Sequence, residues 1–463
     1  MAYKRGQEVF RESKPFSYIV FPRYRDIVCD WCLKYVMCEN EGILKACIKC
    51  KWVHYCDQTC QKEAWNSHHK LECKYLQKQN MPLLVKEHFD GNFQVIQSGH
   101  LKLLKTILKL KNSGRDECFQ LPNGKKRYFS DLESNADELR NQIEQRNQSR
   151  AFYLQYEVFK TWLGDVMPSY TEYIEIIGKW QTNATSMLSM NVFETTHIAT
   201  GLYLGYSSLD HSCAPNAMWF NVGKVMVVRT MQDVKNLSDI RISYIDVLTK
   251  THERKMILKE KYFFDCKCLR CEDPNSDAKF SSLKCKTCSS WVYECSMICS
   301  SCNQKLKLSD EELSIVEKFK NGTLPKFEPT MTIKEIKYIL EKYIKIFHVC
   351  HEIFKKPEIL FEFSKSFLQS LKGSHDYMLL VLEIRKLKLN HHSAHLPQLH
   401  CEIGQLNLHI SDACFALKLF DKAEFHLKKA EELIKVVYGE DHPWMQKCQR
   451  LRMELLISRV ELK

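Results

Sequence analysis

Between residues 29 and 73 the chain repeats one kind of short spacing: Cys29-x2-Cys32, Cys47-x2-Cys50, Cys56-x3-Cys60 and His69-x3-Cys73. Two thiols separated by two residues leave a single tight turn and can reach one tetrahedral Zn(II), while ligands four apart share one face of a helix. Eight ligands suffice for two closed sites. The segment Gln61 to Cys73 reads as a short helix, with Trp65 and Leu71 packing over a core too small to fold without metal. His69 is preferred over its neighbour because a helix fixes its distance to Cys73; His68, which keeps the seven-residue gap from Cys60, stays open as the alternative. Cys38 reads as a bystander in a loop insertion.

The same arithmetic applies further along. Cys266-x-Cys268-x2-Cys271 supplies three thiolates that can meet at one ion, and Cys213 is available as the fourth. Cys285-x2-Cys288 and Cys299-x2-Cys302 form the pattern of a small zinc ribbon, with Trp291 and Tyr293 able to cover it and Cys295 as a substitute ligand. With 22 cysteines so grouped, metal explains the spacing better than disulfides, and the chain is expected inside the cell, where thiols stay reduced. No apolar run approaches the roughly 18 residues of a membrane helix. A net charge of +12 from dispersed Lys and Arg reads as a solvated surface, and a nucleic-acid-binding zinc protein ranks a distant third among the readings.

Strand-like patterns surround Cys213: Gly201-Leu202-Tyr203, Val225-Met226-Val227-Val228 and Ile240 to Tyr244. From about Ser309 the composition turns to amphipathic stretches, in Ile333–Phe347, Leu379–Leu387, Ile403–Phe420 and Ala423–Val437. Residues 410–444 resemble a tetratricopeptide helix pair, whose stacked helices can bind peptides or cap a cleft.

These motifs together resemble the SET- and MYND-domain (SMYD) lysine methyltransferases. "YCDQTCQKEAW" and "HKLEC" match the MYND finger; "DHSCAPN", "ISYID" and "YFFDCKCLRC" match the SET core, its tyrosine strand and the post-SET cysteines. The resemblance implies an α+β fold: a SET-domain β core split by a MYND zinc finger, with an α-helical, tetratricopeptide-like C-terminal domain. The implied order is N-terminal SET strands (1–28), finger (29–73), helical intervening region (74–190), SET core (191–250), post-SET cluster (251–275), ribbon (280–305) and helical domain (309–463). It also implies interleaved ligation: Cys29, Cys32, Cys56 and Cys60 on one zinc, Cys47, Cys50, His69 and Cys73 on the other. Structural Zn(II) is thus expected at three sites, with the ribbon as a fourth.

For chemistry, the resemblance implies S-adenosylmethionine as cofactor and lysine in histone tails or other protein substrates as acceptor, in cytoplasm and nucleus. It assigns Tyr244 to the junction of cofactor and lysine channel, and Tyr262 and Phe264 to the aromatic walls of channel and cofactor. Asn183, Asp210 and His211 fall where the methionine end and adenine are held, and Glu133 and Asn135 near the ribose and amino group. The finger is expected to take proline-rich peptides. Two departures set a competing expectation. No Gly-x-Gly strand precedes Gly6, and Asp210 replaces the usual Asn, removing an amide donor. An incomplete N-terminus, or a weak or inactive adaptor working through finger and helical tail, is therefore the alternative.

Overall fold

The computed structural model describes residues 2–36, 43–77, 93–190, 195–323, 331–355 and 375–461; Cys38 lies outside the described residues. The fold is α+β, and the chain divides into two compact units. The first comprises Met1–His211, Asn216–Ile242 and Ile257–Asp265, and the second Ser212–Pro215, Ser243–Met256 and Cys266–Lys463.

Two antiparallel three-stranded sheets frame the first unit. Val225–Thr230 lies between Glu8–Glu12 and Ala217–Val222, and Thr195–Leu202 lies between Ser17–Val20 and Ala184–Met190. Strands so distant in sequence pair because each carries β-branched and aromatic residues whose burial requires a partner face. A two-residue turn joins Val222 to Val225, and Gly223 supplies the positive φ it requires (57°). The buried Asn221 links the sheets: its side-chain oxygen accepts from Leu188 N–H (3.0 Å) and its amide donates to Leu188 C=O (3.1 Å). Glu12 is buried too, accepting from the backbone N–H groups of Leu204 (2.8 Å), Gly205 (2.9 Å) and Tyr206 (3.3 Å); burial pushes its carboxyl up to about 7 despite those donors. Helices Phe93–Lys109, Ala136–Gln145, Ser149–Leu163 and Tyr170–Asn183 complete a core that includes Ile19, Leu104, Ile107, Phe159, Ile174 and Leu202. The helical region expected between the finger and the SET core also holds a hairpin, Cys118–Gln120 with Lys126–Tyr128, and the strand Ala184–Met190. The tyrosine strand is shorter than its apolar pattern, covering Arg241–Ile242.

In the second unit a small three-stranded sheet (Leu283–Lys284, Trp291–Tyr293, Ile298–Cys299) precedes the helices. Asp310–Lys320 and Ile333–Ile346 each begin with a reciprocal cap, Ser309 with Glu312 and Thr332 with Glu335. Then follow His375–His395, Cys401–Ala416, Phe420–Tyr438 and Pro443–Glu461. The periodic stretch Ile403–Phe420 is thus divided, with Lys418 at φ 59° in the turn. Small residues at the helix contacts, among them Ala413, Ala423 and Ala430, are fully buried, and Ser411 Oγ donates to Ala423 C=O (2.6 Å). Among the described residues, no helix is long and apolar enough to cross a membrane.

Candidate functional site

In the finger the ligand atoms of Cys29, Cys32, Cys56 and Cys60 lie within 4.8 Å of one another, as do those of Cys47, Cys50, His69 and Cys73. A tetrahedral ion with Zn–S bonds of about 2.3 Å sets its sulfurs about 3.8 Å apart. The separations here are 3.7 Å for Cys32–Cys56 and 3.9 Å for Cys47–Cys73, with His69 Nε2 3.6 and 3.4 Å from the sulfurs of Cys50 and Cys47. Donor identity and spacing therefore both suit zinc. Each C-x2-C pair is closed by the same turn, in which the residue after the second cysteine donates its N–H to the first cysteine's carbonyl: Leu33 to Cys29 (3.0 Å) and Lys51 to Cys47 (2.8 Å). Leu33 (φ 61°) and Lys51 (φ 56°) are held left-handed, a conformation that costs a non-glycine residue about 1 kcal/mol.

The choice between the two histidines has a backbone explanation. The helix starts earlier than expected, at Gln58, with Asp57 accepting from Cys60 N–H (2.7 Å). At Trp65–His69 it widens by one residue, so that Lys70 N–H also reaches back to Trp65 C=O. Such a wide turn absorbs a one-residue insertion. His69 therefore arrives where a regular helix would have delivered His68, and Cys73 N–H still bonds to His69 C=O (2.8 Å). His68 instead sits 3.4 Å from Asp30 Oδ2.

Behind the ligands lies a buried charge cluster. Asp30, inside the first knuckle, and Glu72, beside Cys73, are both nearly inaccessible, and both face the buried ammonium of Lys105 from helix Phe93–Lys109 (3.5 and 3.4 Å). Burial pushes the Asp30 carboxyl up, but Lys105 and His68 outweigh it and hold the group down at about 2. Two carboxylates that abut metal ligands can so be buried charged.

The trio Cys266, Cys268 and Cys271 meets a distant fourth thiol: the sulfurs of Cys213, Cys266, Cys268 and Cys271 lie within 4.8 Å of one another, Cys271 and Cys213 3.5 Å apart. Four thiolates on Zn(II) leave a net charge of −2, and a cation is beside them. Arg254, fully buried, donates to Thr249 C=O, to Thr251 Oγ1 (2.9 Å) and to Cys271 Sγ (3.8 Å). Asp277 accepts from Thr251 N–H (2.8 Å) and so caps helix Thr251–Tyr262 from a separate loop. The sulfurs of Cys285, Cys288, Cys299 and Cys302 converge in the same way, and Cys295 is exposed outside that set.

The residues matched to cofactor positions fall into groups. Asn183, near the end of helix Tyr170–Asn183, donates to the carbonyls of Glu133 and Lys179 (both 2.8 Å), and Asn135 Nδ2 donates to Thr182 Oγ1 (3.1 Å). Both donors of Asn183 are thereby spent, leaving its Oδ1 as an acceptor suited to a ligand ammonium. Asn135 is left-handed (φ 46°), and Glu133 is exposed. Asp210 and His211 form a two-residue strand parallel to Arg241–Ile242; Asp210 is exposed and 3.6 Å from Arg241. The rings of His211 and Phe264 lie 6.0 Å apart. Tyr262 is buried, and Phe263, at φ 64°, sharply bends the chain between it and Phe264. Tyr244 is half-buried, two residues beyond the Arg241–Ile242 strand.

Comparison with known proteins bears on the finger and on the chain as a whole. Residues 29–73 match the MYND finger family. The chain is 28% identical to the human histone-lysine N-methyltransferase SMYD3 over 277 residues, 59% of this chain and 58% of that protein. It is 22% identical to the zebrafish N-lysine methyltransferase SMYD2-A over 468 residues, covering 97% and 93%, and 23% identical to the human N-lysine methyltransferase SMYD2 over 446 residues, covering 94% and 90%. The chain is thus similar to SMYD lysine methyltransferases over nearly its whole length.

Several residues that shape the site carry no motif. Gly178 is one: a Cβ there would lie 2.0 Å from Ser134 C=O, so only glycine lets its helix meet the loop carrying Glu133 and Asn135. Lys179, beside it, donates to the carbonyls of Ser130 and Leu132 and ties down the same loop. Lys105 and Arg254 were hidden because a lysine or arginine in an amphipathic helix ordinarily faces water. The one available signal was an acidic residue placed inside or against a ligand pair, as Asp30 and Glu72 are.

Proposed function

We propose that this chain transfers a methyl group from S-adenosylmethionine to lysine side chains of histone or other proteins. The observation that carries the reading is the meeting of Cys213 with Cys266, Cys268 and Cys271. Cys213 ends the His211-Ser212-Cys213 motif, and Cys266 lies two residues after Phe264, so one metal ion would fix both segments that the family uses around cofactor and lysine. The near approach of His211 to Phe264 supports the same arrangement.

The cofactor, when bound, supplies a methyl group on a cationic sulfonium. The donors fit it: the Oδ1 of Asn183 is an acceptor for an ammonium, Glu133 is an exposed carboxylate near it in the fold, and Phe264 offers a ring face for a planar base. The protein's own task is to present lysine as a neutral amine. A lysine in water has a pKa of about 10.4, and an apolar, aromatic channel favours the uncharged form by desolvation. Tyr262 supplies such a wall, and the Tyr244 hydroxyl is assigned to orient the amine. Asp210 keeps the acceptor of the usual Asn without its donor, and Arg241 beside it offsets its charge.

Calorimetry with S-adenosylmethionine on the zinc-loaded chain, followed by methyl transfer to histone peptides, tests the reading. Binding is expected, and Tyr244→Phe should lower the transfer rate at least tenfold with little change in cofactor affinity. A folded chain without affinity for the cofactor would favour an adaptor working through the finger and helical region. Full transfer by Tyr244→Phe would remove that residue's assigned role.

A further inference from the structure

Cys285, Cys288, Cys299 and Cys302 occupy no position that the SET, MYND or post-SET motifs explain, yet they are built as the finger knuckles are. The sulfurs of Cys285 and Cys302 are 3.6 Å apart and those of Cys288 and Cys299 3.5 Å, close to the tetrahedral edge of about 3.8 Å. Ser289 N–H donates to Cys285 C=O (3.0 Å) and Asn303 N–H to Cys299 C=O (3.2 Å). Ser289 (φ 61°) and Asn303 (φ 55°) are left-handed, as Leu33 and Lys51 are at the matching places in the finger. The same turn thus occurs four times, each time without glycine. In addition, Thr287 and Ser301 N–H groups each approach a cysteine sulfur, Cys285 and Cys299 respectively, at 3.4 Å, which favours thiolate over thiol.

We propose that these four thiolates hold a fourth structural Zn(II), and that this ion fixes the surface on which the helical region begins. Four sulfurs in closed tetrahedral array select zinc over harder ions and leave no position for a substrate. The sheet that carries them has strands of two or three residues, too little to stand alone. Its inner residues Leu283 and Val292, with Leu306 just after the last strand, nevertheless share one core with Leu340, Tyr343 and Phe347 of helix Ile333–Ile346 and its end. The backbone joins too: Leu283 bridges Phe347, His348 N–H donates to Ser282 C=O (3.2 Å), and Lys284 Nζ donates to Ile344 C=O (3.4 Å). Ion pairs Lys286–Glu312 (2.6 Å) and Lys320–Glu294 (2.8 Å) tie the ribbon to the helix before it.

Native mass spectrometry and elemental analysis of the full chain test the site. Four zinc ions per chain are expected, and three in a Cys288→Ser/Cys302→Ser double variant, chosen because these two sulfurs lie toward the solvent edge. Three in the unaltered chain, or four in the variant, would overturn the site. If the variant does not fold, the count in the unaltered chain decides alone. Hydrogen exchange tests the clamp: amides of 340–347 should exchange about tenfold faster in the variant while those of 29–73 keep their protection. Unchanged exchange at 340–347 would overturn the clamp.

Discussion

The cysteine finger and the helical region solve the burial of polar groups in opposite ways. In the finger, groups are buried charged and paired: Asp30 and Glu72 surround Lys105, a few residues from thiols whose spacing suits a cation. In the helical region they are buried neutral. His351 and His442, both buried, turn Nδ1 toward the backbone N–H two residues on, those of Ile353 (3.1 Å) and Trp444 (3.2 Å), and so cap two helices. An Asp or Ser does this work more commonly. The difference is one of solvent: a charge needs a counter-charge when water is excluded, whereas an imidazole nitrogen can serve as acceptor provided it carries no proton. The two regions should therefore fail under different insults.

The largest expected effect breaks the charged side of that contrast. Lys105→Met removes the only buried ammonium facing Asp30 and Glu72 among the described residues, leaving the two carboxylates with imidazoles alone beside them. A loss of 3–5 kcal/mol, on the order found for broken buried pairs, is expected in denaturant unfolding of the zinc-loaded chain. A loss below about 1 kcal/mol would mean that the carboxylates simply bind protons, and that the finger is neutral inside like the helices.

How much of this was legible beforehand follows the range of the interactions. The cysteine pairs could be read because knuckle and helix spacings are local; their interleaving came with the family resemblance, and Cys213 was offered only as an available fourth thiol. What could not be read depends on distant approach. Gly178 has its reason in Ser134, Lys105 in Asp30 and Glu72, and Arg254 in Cys271 and Thr249. Likewise the wide turn at Trp65–His69 leaves two adjacent histidines indistinguishable by spacing alone. The helical region yielded its periodic stretches but not its caps, since histidine is not a customary capping residue.

Acid tests the neutral side and should act more gradually. Burial depresses His351 and His442 to about 3, well below the value near 6.5 of an unfolded histidine. Below pH 6.5 the unfolded chain then binds more protons than the folded one, so stability is intact above pH 6.5 and drains away as pH falls toward 3. At pH 5 the loss reaches up to about 2 kcal/mol for each such histidine. Charge would also remove the acceptor on which the caps depend. His442→Asn, which keeps an acceptor but does not titrate, should flatten part of the melting-temperature dependence between pH 7 and pH 5. An unaltered slope would show that the cap at Pro443–Glu461 is not what acid attacks.

The smallest effect concerns the strain in the finger's turns. Lys51 is exposed and stands at φ 56°, so its side chain contributes little packing while its backbone carries the cost of the left-handed conformation. Lys51→Gly should raise stability by about 1 kcal/mol, because glycine reaches that conformation freely and the gain exceeds its larger entropy when unfolded. Thermal melting at fixed zinc concentration measures it. The same substitution at the buried Leu33 would also forfeit apolar contacts, so the exposed site isolates the backbone term. If Lys51→Gly destabilises the chain, the turn is not strained by its side chain and the metal has no strain to hold in check. The knuckle would then owe its shape to local sequence, as the histidine-capped helices do.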